Sequence, residues 1–289
     1  MYCSNTSLAV EQFQQLRGLP STGVCDHVTW SVLVESSWVL GSRLLYLTSP
    51  HMRGDDVRSM QTVLAKLGFD CGRADGIFGP NTLRALTEFQ QNYGITADGI
   101  CGVNTIRALE RTRSQSGEGP GIVTVREYET LLASAEKSGR PRIVVGCFGT
   151  HTRLTRLLVR ELRTRGDDVV TVENADPHAH ARTANSFEAD LYVGVSSTPD
   201  SGVQFAYYKT DSFTSAGGKL AAELCEDFVR RSNGLAPLET RGMQLPVLRE
   251  TRMPAVMCSV GPDLNHTAAA GLAGPLSDAI IQWCERPIG

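Results

Sequence analysis

The chain contains one stretch twice. Asn5, Thr6, Ala9, Phe13, Gln14, Gln15, Gly18, Gly23, Cys25, Thr29 and Leu33 recur as Asn81, Thr82, Ala85, Phe89, Gln90, Gln91, Gly94, Gly99, Cys101, Thr105 and Leu109 at one constant offset. A fixed offset that keeps aromatic, glycine and threonine positions in step means that one small supersecondary unit was duplicated. The fold therefore opens with two copies of a module, and 289 residues leave room behind them for one domain of ordinary size.

The second copy is complete. Val57, Met60, Leu64 and Leu67 fall at helical spacing behind Asp55 and Asp56, whose carboxylates suit a helix N-terminus, and Gly68 suits its stop. Asp75 to Pro80 reads as a turn, after which Asn81 or Thr82 is expected to cap a helix carrying Leu83, Leu86 and Phe89. A turn at Asp98-Gly99 then leads into a last short helix with Thr105, Ile106 and Leu109. The first copy lacks its first helix, because Cys3 already aligns with Gly79. Its Phe13, Val24, Trp30 and Leu33 therefore need cover from residues 38–47 or from a neighbouring module.

The pattern Gly54-x-x-Val57-x-x-x-Gln61-x-x-Leu64, Asp75-Gly76-x-Phe78-Gly79-x-x-Thr82, Ala85-x-x-x-Phe89-Gln90 and Asp98-Gly99 resembles the peptidoglycan-binding type 1 family of three-helix modules. That resemblance implies a cell-wall context and a shallow groove for peptidoglycan or a precursor fragment, with Asp75, Gly76, Phe78, Gly79 and Thr82 as candidate ligand-binding residues. Read as residues alone, the same positions are turn and core elements that keep the fold.

The expected organisation is a truncated repeat over 1–48, a complete module over 49–111, a polar Gly/Ser linker over 112–121, and a third unit over 122–289. In that unit Ile143-Val144-Val145, residues 169–172, 190–195 and 255–258 read as strands. Residues 154–165, 220–228 and 268–283 read as helices. Strand and helix alternate, which predicts an α/β domain with a mostly parallel sheet behind the small all-α three-helix modules.

Charge is nearly balanced, with 28 Lys and Arg against 31 Asp and Glu. No global field gathers nucleic acid or an anionic membrane, and neither is expected as a partner. No apolar run approaches the roughly 20 residues of a membrane span, and no leader pattern precedes residue 30. The chain as written is expected in the cytoplasm, and at the cell wall if Met1 is not the true start. Eight scattered cysteines form no CxxC pair and read as small buried hydrophobes.

In the third unit, Arg182-Thr183-Ala184-Asn185, Ala189-Asp190-Leu191-Tyr192-Val193, Gly202-Val203-x-x-Ala206-Tyr207-Tyr208 and Leu248-Arg249-x-Thr251-x-Met253-Pro254-Ala255-Val256 stand in the order seen in one enzyme family. They resemble the amidase-3 family of zinc-dependent N-acetylmuramoyl-L-alanine amidases. With the modules in front, the chain is similar to actinobacterial amidase-like cell-wall regulators. The resemblance implies cleavage of the lactyl–L-alanine amide by zinc held on two His and one Glu, with a second Glu as general base.

This sequence departs from that pattern. Ser196 occupies the place of a ligand His and Ser259 that of the base, and the loop that holds the other ligands is reduced to Gly146-Cys147-Phe148-Gly149-Thr150. A hydroxyl is a poor zinc ligand and cannot take up a proton near neutral pH. His151, His178 and His180 are the weak alternative ligands, the latter two on what reads as a Pro-containing surface loop. Cys147 or Cys258 beside a His is a further, remote nucleophile. The expectation is a degenerate amidase homologue with no cofactor, acting as a regulator or scaffold and partnered by peptidoglycan and a cell-wall synthesis protein. The alternative is an active zinc amidase.

Overall fold

The computed structural model describes residues 3–113, 122–135, 139–210, 213–233 and 237–286. Beyond residue 113, the expected linker lies outside them. The chain divides into two compact units, Met1–Arg126 and Glu127–Gly289.

The first unit is helical: α1 (Ser4–Leu16), α2 (His27–Ser36), α3 (Asp55–Lys66), α4 (Pro80–Tyr93) and α5 (Val103–Arg113). Val57, Met60, Leu64, Phe78, Leu86, Phe89 and Leu109 form the core of the complete copy. Asp55 and Asp56 lie in the first turn of α3, against the positive end of its dipole. Gly68, one residue past the C-cap, takes a left-handed φ of 88° that a side chain would resist. Helix α4 does not start as expected. Its N-cap is Gly79 without a side-chain cap, and Pro80 supplies the pre-set first turn.

Thr82 is turned inward instead, and the reason is a repeat shorter than the one legible in sequence. Gln14, Gln61 and Gln90 are buried, and each clamps the turn that follows its helix. Gln61 Nε2 donates to Asp75 Oδ1 (3.0 Å), the Ile77 carbonyl (3.1 Å) and Thr82 Oγ1 (3.0 Å), while its Oε1 accepts from the Gly76 N–H (2.8 Å). Gln90 treats Asp98, Ile100, Thr105 and Gly99 in the same way, and Gln14 treats Thr22, Val24, Thr29 and Gly23. Each turn glycine has positive φ. Gln61→Ala takes the acceptor from the buried Gly76 N–H and removes the donor that joins Asp75, the Ile77 carbonyl and Thr82 Oγ1, and is expected to cost about 2–4 kcal/mol, read by urea unfolding.

Residues 38–47 cover the second copy rather than the first. Leu45 is buried in its core and exchanges two backbone hydrogen bonds with Cys101 (3.3 and 2.8 Å). Trp30 and Val24 remain 61% and 56% exposed.

Helix α6 (Ile122–Ala135) runs across the boundary between the units, and the second unit continues with β1 (Arg142–Cys147), α7 (Thr152–Thr164), β2 (Asp168–Glu173), α8 (Pro177–Ser186), β3 (Leu191–Ser197), β4 (Val203–Tyr208), α9 (Ala216–Asn233), β5 (Leu238–Met243), α10 (Pro246–Glu250), β6 (Ala255–Val260), α11 (His266–Ala270) and α12 (Ala273–Glu285). The sheet order is β2-β1-β3-β6-β4-β5, parallel except where β4 meets β6. Strands β4 and β5 escaped the sequence reading. The first is buried along its whole length and shows no alternation, and the second is a polar edge strand. The helix expected over 268–283 is two helices parted at Gly271. The Glu127 carboxylate caps α9, accepting from Ser215 Oγ (2.6 Å) and the Ala216 N–H (3.0 Å).

Candidate functional site at the carboxyl ends of the strands

Parallel strands bring their C-terminal ends to one edge, where open α/β sheets bind ligands. Here β1, β3 and β6 end side by side. Ser196 and Ser259 are register partners on β3 and β6, and their hydroxyl oxygens are 2.9 Å apart, within hydrogen-bond reach of each other. Ser259 also pairs in register with Gln204 of β4. The Gln204 amide donates to Asp200 Oδ2 (2.8 Å) and accepts from Arg241 (3.0 Å).

His151 stands at the N-cap of α7 with a left-handed φ of 54°. Its Nε2 is 3.4 Å from Ser197 Oγ, and its ring centre lies 6.2 Å from that of His266. Burial, with the second imidazole beside it, pushes its pKa below the usual histidine value, so the ring is neutral at pH 7. The edge thus offers hydroxyls, an amide and a neutral imidazole. Such groups orient a polar ligand by hydrogen bonds.

The other sequence candidates lie elsewhere. His178 and His180 sit on helix α8, not on a loop, because Asp176 caps the helix by accepting from the His178 N–H (2.9 Å) and Pro177 takes its first position. His178 Nδ1 meets both Glu250 carboxylate oxygens at 2.9 Å. His180 is buried between the Tyr192 hydroxyl (2.9 Å) and the Asn174 carbonyl (2.8 Å), and Phe148 stacks on it at 4.1 Å. The two rings serve different partners. Cys258 is buried in the sheet core with its thiol pKa pushed up by burial, and the Cys147 thiol donates to the Thr150 carbonyl (3.1 Å).

In the module, Phe78 and Thr82 are buried, Gly76 donates to Gln61, Asp75 accepts from Gln61 and from the Ile77 N–H (2.8 Å), and Gly79 caps α4. All five hold the turn together. His266, Ser197 and the Gln204 network were missed by the sequence reading. The signal for His266 was Asn265 after β6, which caps α11 through the N–H groups of Thr267 (3.0 Å) and Ala268 (2.9 Å).

Burial lowers the pKa of His180 as well. The unfolded chain therefore binds the proton more readily than the folded one. Stability is fully present above the unfolded value of about 6.5 and declines as pH falls below it toward the folded value. Urea unfolding is expected to show weaker stability at pH 5 than at pH 7.5, with a smaller difference in His180→Gln.

The peptidoglycan binding domain family, PG_binding_1, matches residues 1–33 and 53–109. Over 308 residues the chain is 32% identical to N-acetylmuramoyl-L-alanine amidase CwlM of Mycobacterium tuberculosis H37Rv, covering 95% of this chain and 75% of that protein. The chain belongs to the N-acetylmuramoyl-L-alanine amidase family. N-acetylmuramoyl-L-alanine amidase CwlA of Bacillus subtilis is 42% identical over 68 residues, 22% of this chain and 25% of its own. Among solved structures, amidase AmiC2 of Nostoc punctiforme aligns with 52% of this chain and 100% of its own, at 16% identity and a TM-score of 0.43. This is a peptidoglycan-binding, amidase-like protein.

Family membership corrects the expectation of no cofactor, because the amidase family is zinc-dependent. The residues at the strand ends do not fit that ion as a ligand set. Ser196 and Ser259 are engaged with each other, and among the described residues no three His, Cys, Asp or Glu side chains gather around one point. No helix among the described residues is long and apolar enough to cross a membrane.

Proposed function

We propose that this protein is a catalytically degenerate amidase homologue that binds peptidoglycan or a precursor fragment and regulates or scaffolds cell-wall metabolism, with a cell-wall synthesis protein as partner. The observation that carries this reading is the Ser196–Ser259 hydroxyl pair at 2.9 Å. Amide hydrolysis needs a base to take a proton from water, and neither hydroxyl accepts one near neutral pH. A retained fold with uncharged hydrogen-bonding groups at its strand ends suits binding. In this reading the turn built by Asp75, Gly76, Phe78, Gly79 and Thr82 shapes the groove that receives the wall polymer.

The test is to incubate the full chain with purified sacculi and with muropeptides, in the presence of added zinc. The expected outcome is co-sedimentation with sacculi and no cleavage of the lactyl–L-alanine amide. Cleavage would overturn the proposal in favour of a working amidase, and variants of His151, His178 and His180 would then locate its ligands. Failure to sediment would remove the binding half.

A further inference from the structure

Helix α7 concentrates charge in a chain of net charge −3: Arg153, Arg156, Arg160 and Arg163 fall on one stripe at spacings of three and four, and Arg165 follows at the C-cap. This stripe borders a cleft of about 520 Å³ lined by Arg156, Arg160, Arg163, Thr164, Thr171 and Glu173. The far wall of the cleft is β2, an outer strand of the sheet. Asp168 donates to the Pro141 carbonyl (3.0 Å) and Asn174 to that of Cys147 (3.1 Å), so the even-numbered residues of β2 face β1. By the alternation of a parallel ladder, the backbone groups of Val169, Thr171 and Glu173 face outward. The structure shows one of them occupied: the Val169 carbonyl accepts from Arg163 Nη2 at 2.8 Å.

An exposed edge invites a further strand, and natural edges are usually blunted. Here the groups beside the edge are cations. Arg160 shares its charge with half-buried Glu161 (3.2 Å), and Arg156 has no ion pair among the described residues. Glu173 is the opposing charge in the cleft, at the end of β2 far from Val169. We propose that this cleft docks an extended acidic segment of a partner protein, which pairs with the outward backbone of β2 while its carboxylates meet Arg156 and Arg160. Backbone pairing supplies affinity in such docking, and the flanking charges select the sequence. The surface is separate from the Ser196–Ser259 site, so the inference stands whether or not that site hydrolyses anything.

The test uses the full chain and a fluorescein-labelled peptide of alternating Glu and Val, followed by anisotropy at low and physiological salt. Arg156→Ala with Arg160→Ala is expected to weaken binding about tenfold, with a shallower salt dependence. Thr171→Pro, which removes one outward N–H at an edge that tolerates proline, is expected to abolish it. Both variants are checked for native circular dichroism, and N-methylation of the peptide supplies the Thr171→Pro test from the ligand side should that variant misfold. A peptide with Lys in place of Glu is expected not to bind. The proposal is overturned if the acidic peptide does not bind, if the arginine pair leaves affinity unchanged, or if the N-methylated peptide binds equally well. Displacement by pyrophosphate with no effect of N-methylation would make the cleft a small-anion site instead.

Discussion

Asp56→Ala is expected to cost the first unit about 3 kcal/mol, because it leaves the partly buried Arg43 guanidinium, 22% exposed, without its carboxylate. The Asp56 side chain is 1% exposed. Arg43 meets it with Nε at 2.7 Å and Nη2 at 3.1 Å, donates from Nη2 to the Arg53 carbonyl (2.7 Å), and lies over the Trp38 ring at 4.1 Å. The carboxylate also accepts from the Val57 N–H (2.8 Å) in the first turn of α3. One side chain thus fastens residues 38–53 to the helical module. Gly54 allows it, since a Cβ there would stand 2.3 Å from Asp56 Oδ1 and 2.9 Å from Arg43 Nη2. Urea unfolding of the variant by far-ultraviolet circular dichroism reads the loss. Replacing both partners, Asp56→Leu with Arg43→Met, is expected to recover most of it, because the uncompensated charge rather than the missing contact carries the cost. A double variant as unstable as Asp56→Ala alone would assign the effect to the helix start instead.

Helix α3 was legible because its signals are local: acidic residues in front, apolar residues at 3.6 spacing, glycine behind. The Arg43–Asp56 pair was not, since nothing in the order of residues says which aspartate is buried. The glutamine clamps were half legible. Gln14 and Gln90 stood in the duplicated pattern, but Gln61 belongs to the shorter repeat, which has a longer connection between its helix and its Gly-Ile turn. In the sheet, strands β1, β2, β3 and β6 announced themselves as short apolar runs containing valine, whereas β5 (Leu-Glu-Thr-Arg-Gly-Met) has the composition of a loop and is a strand only because β4 pairs with it. The meeting of Ser196 and Ser259 could be foreseen from family positions, and the sheet register brings them together. The place of His266 beside His151 depends on how α11 leaves β6, which no spacing encodes.

Gly146→Ala is expected to be among the costliest single-methyl changes in the second unit. Gly146 and Gly194 are register partners on β1 and β3. Above Gly146 lies the hydrogen bond between His180 Nδ1 and the Tyr192 hydroxyl, and an added Cβ would stand 2.4 Å from the first and 2.2 Å from the second. Neither ring can retreat easily. His180 is held on its far side by the Asn174 carbonyl and under Phe148, and Tyr192 is fully buried. Overpacking together with a broken buried hydrogen bond is expected to cost about 3–5 kcal/mol. Gly194→Ala is the control of similar crowding: its Cβ would lie 2.2 Å from the Met257 sulfur, the far end of an unbranched side chain that can repack, and 3.0 Å from the Tyr192 hydroxyl. About 1–2 kcal/mol is expected there. Thermal and urea unfolding of the two variants side by side separate the cases. Equal losses would mean that backbone freedom at paired glycines, rather than the rigid His180–Tyr192 bond above one of them, decides the cost. A larger loss at Gly146 would identify that bond as what fixes α8 and the β1–α7 loop, and with them His151, at the strand ends.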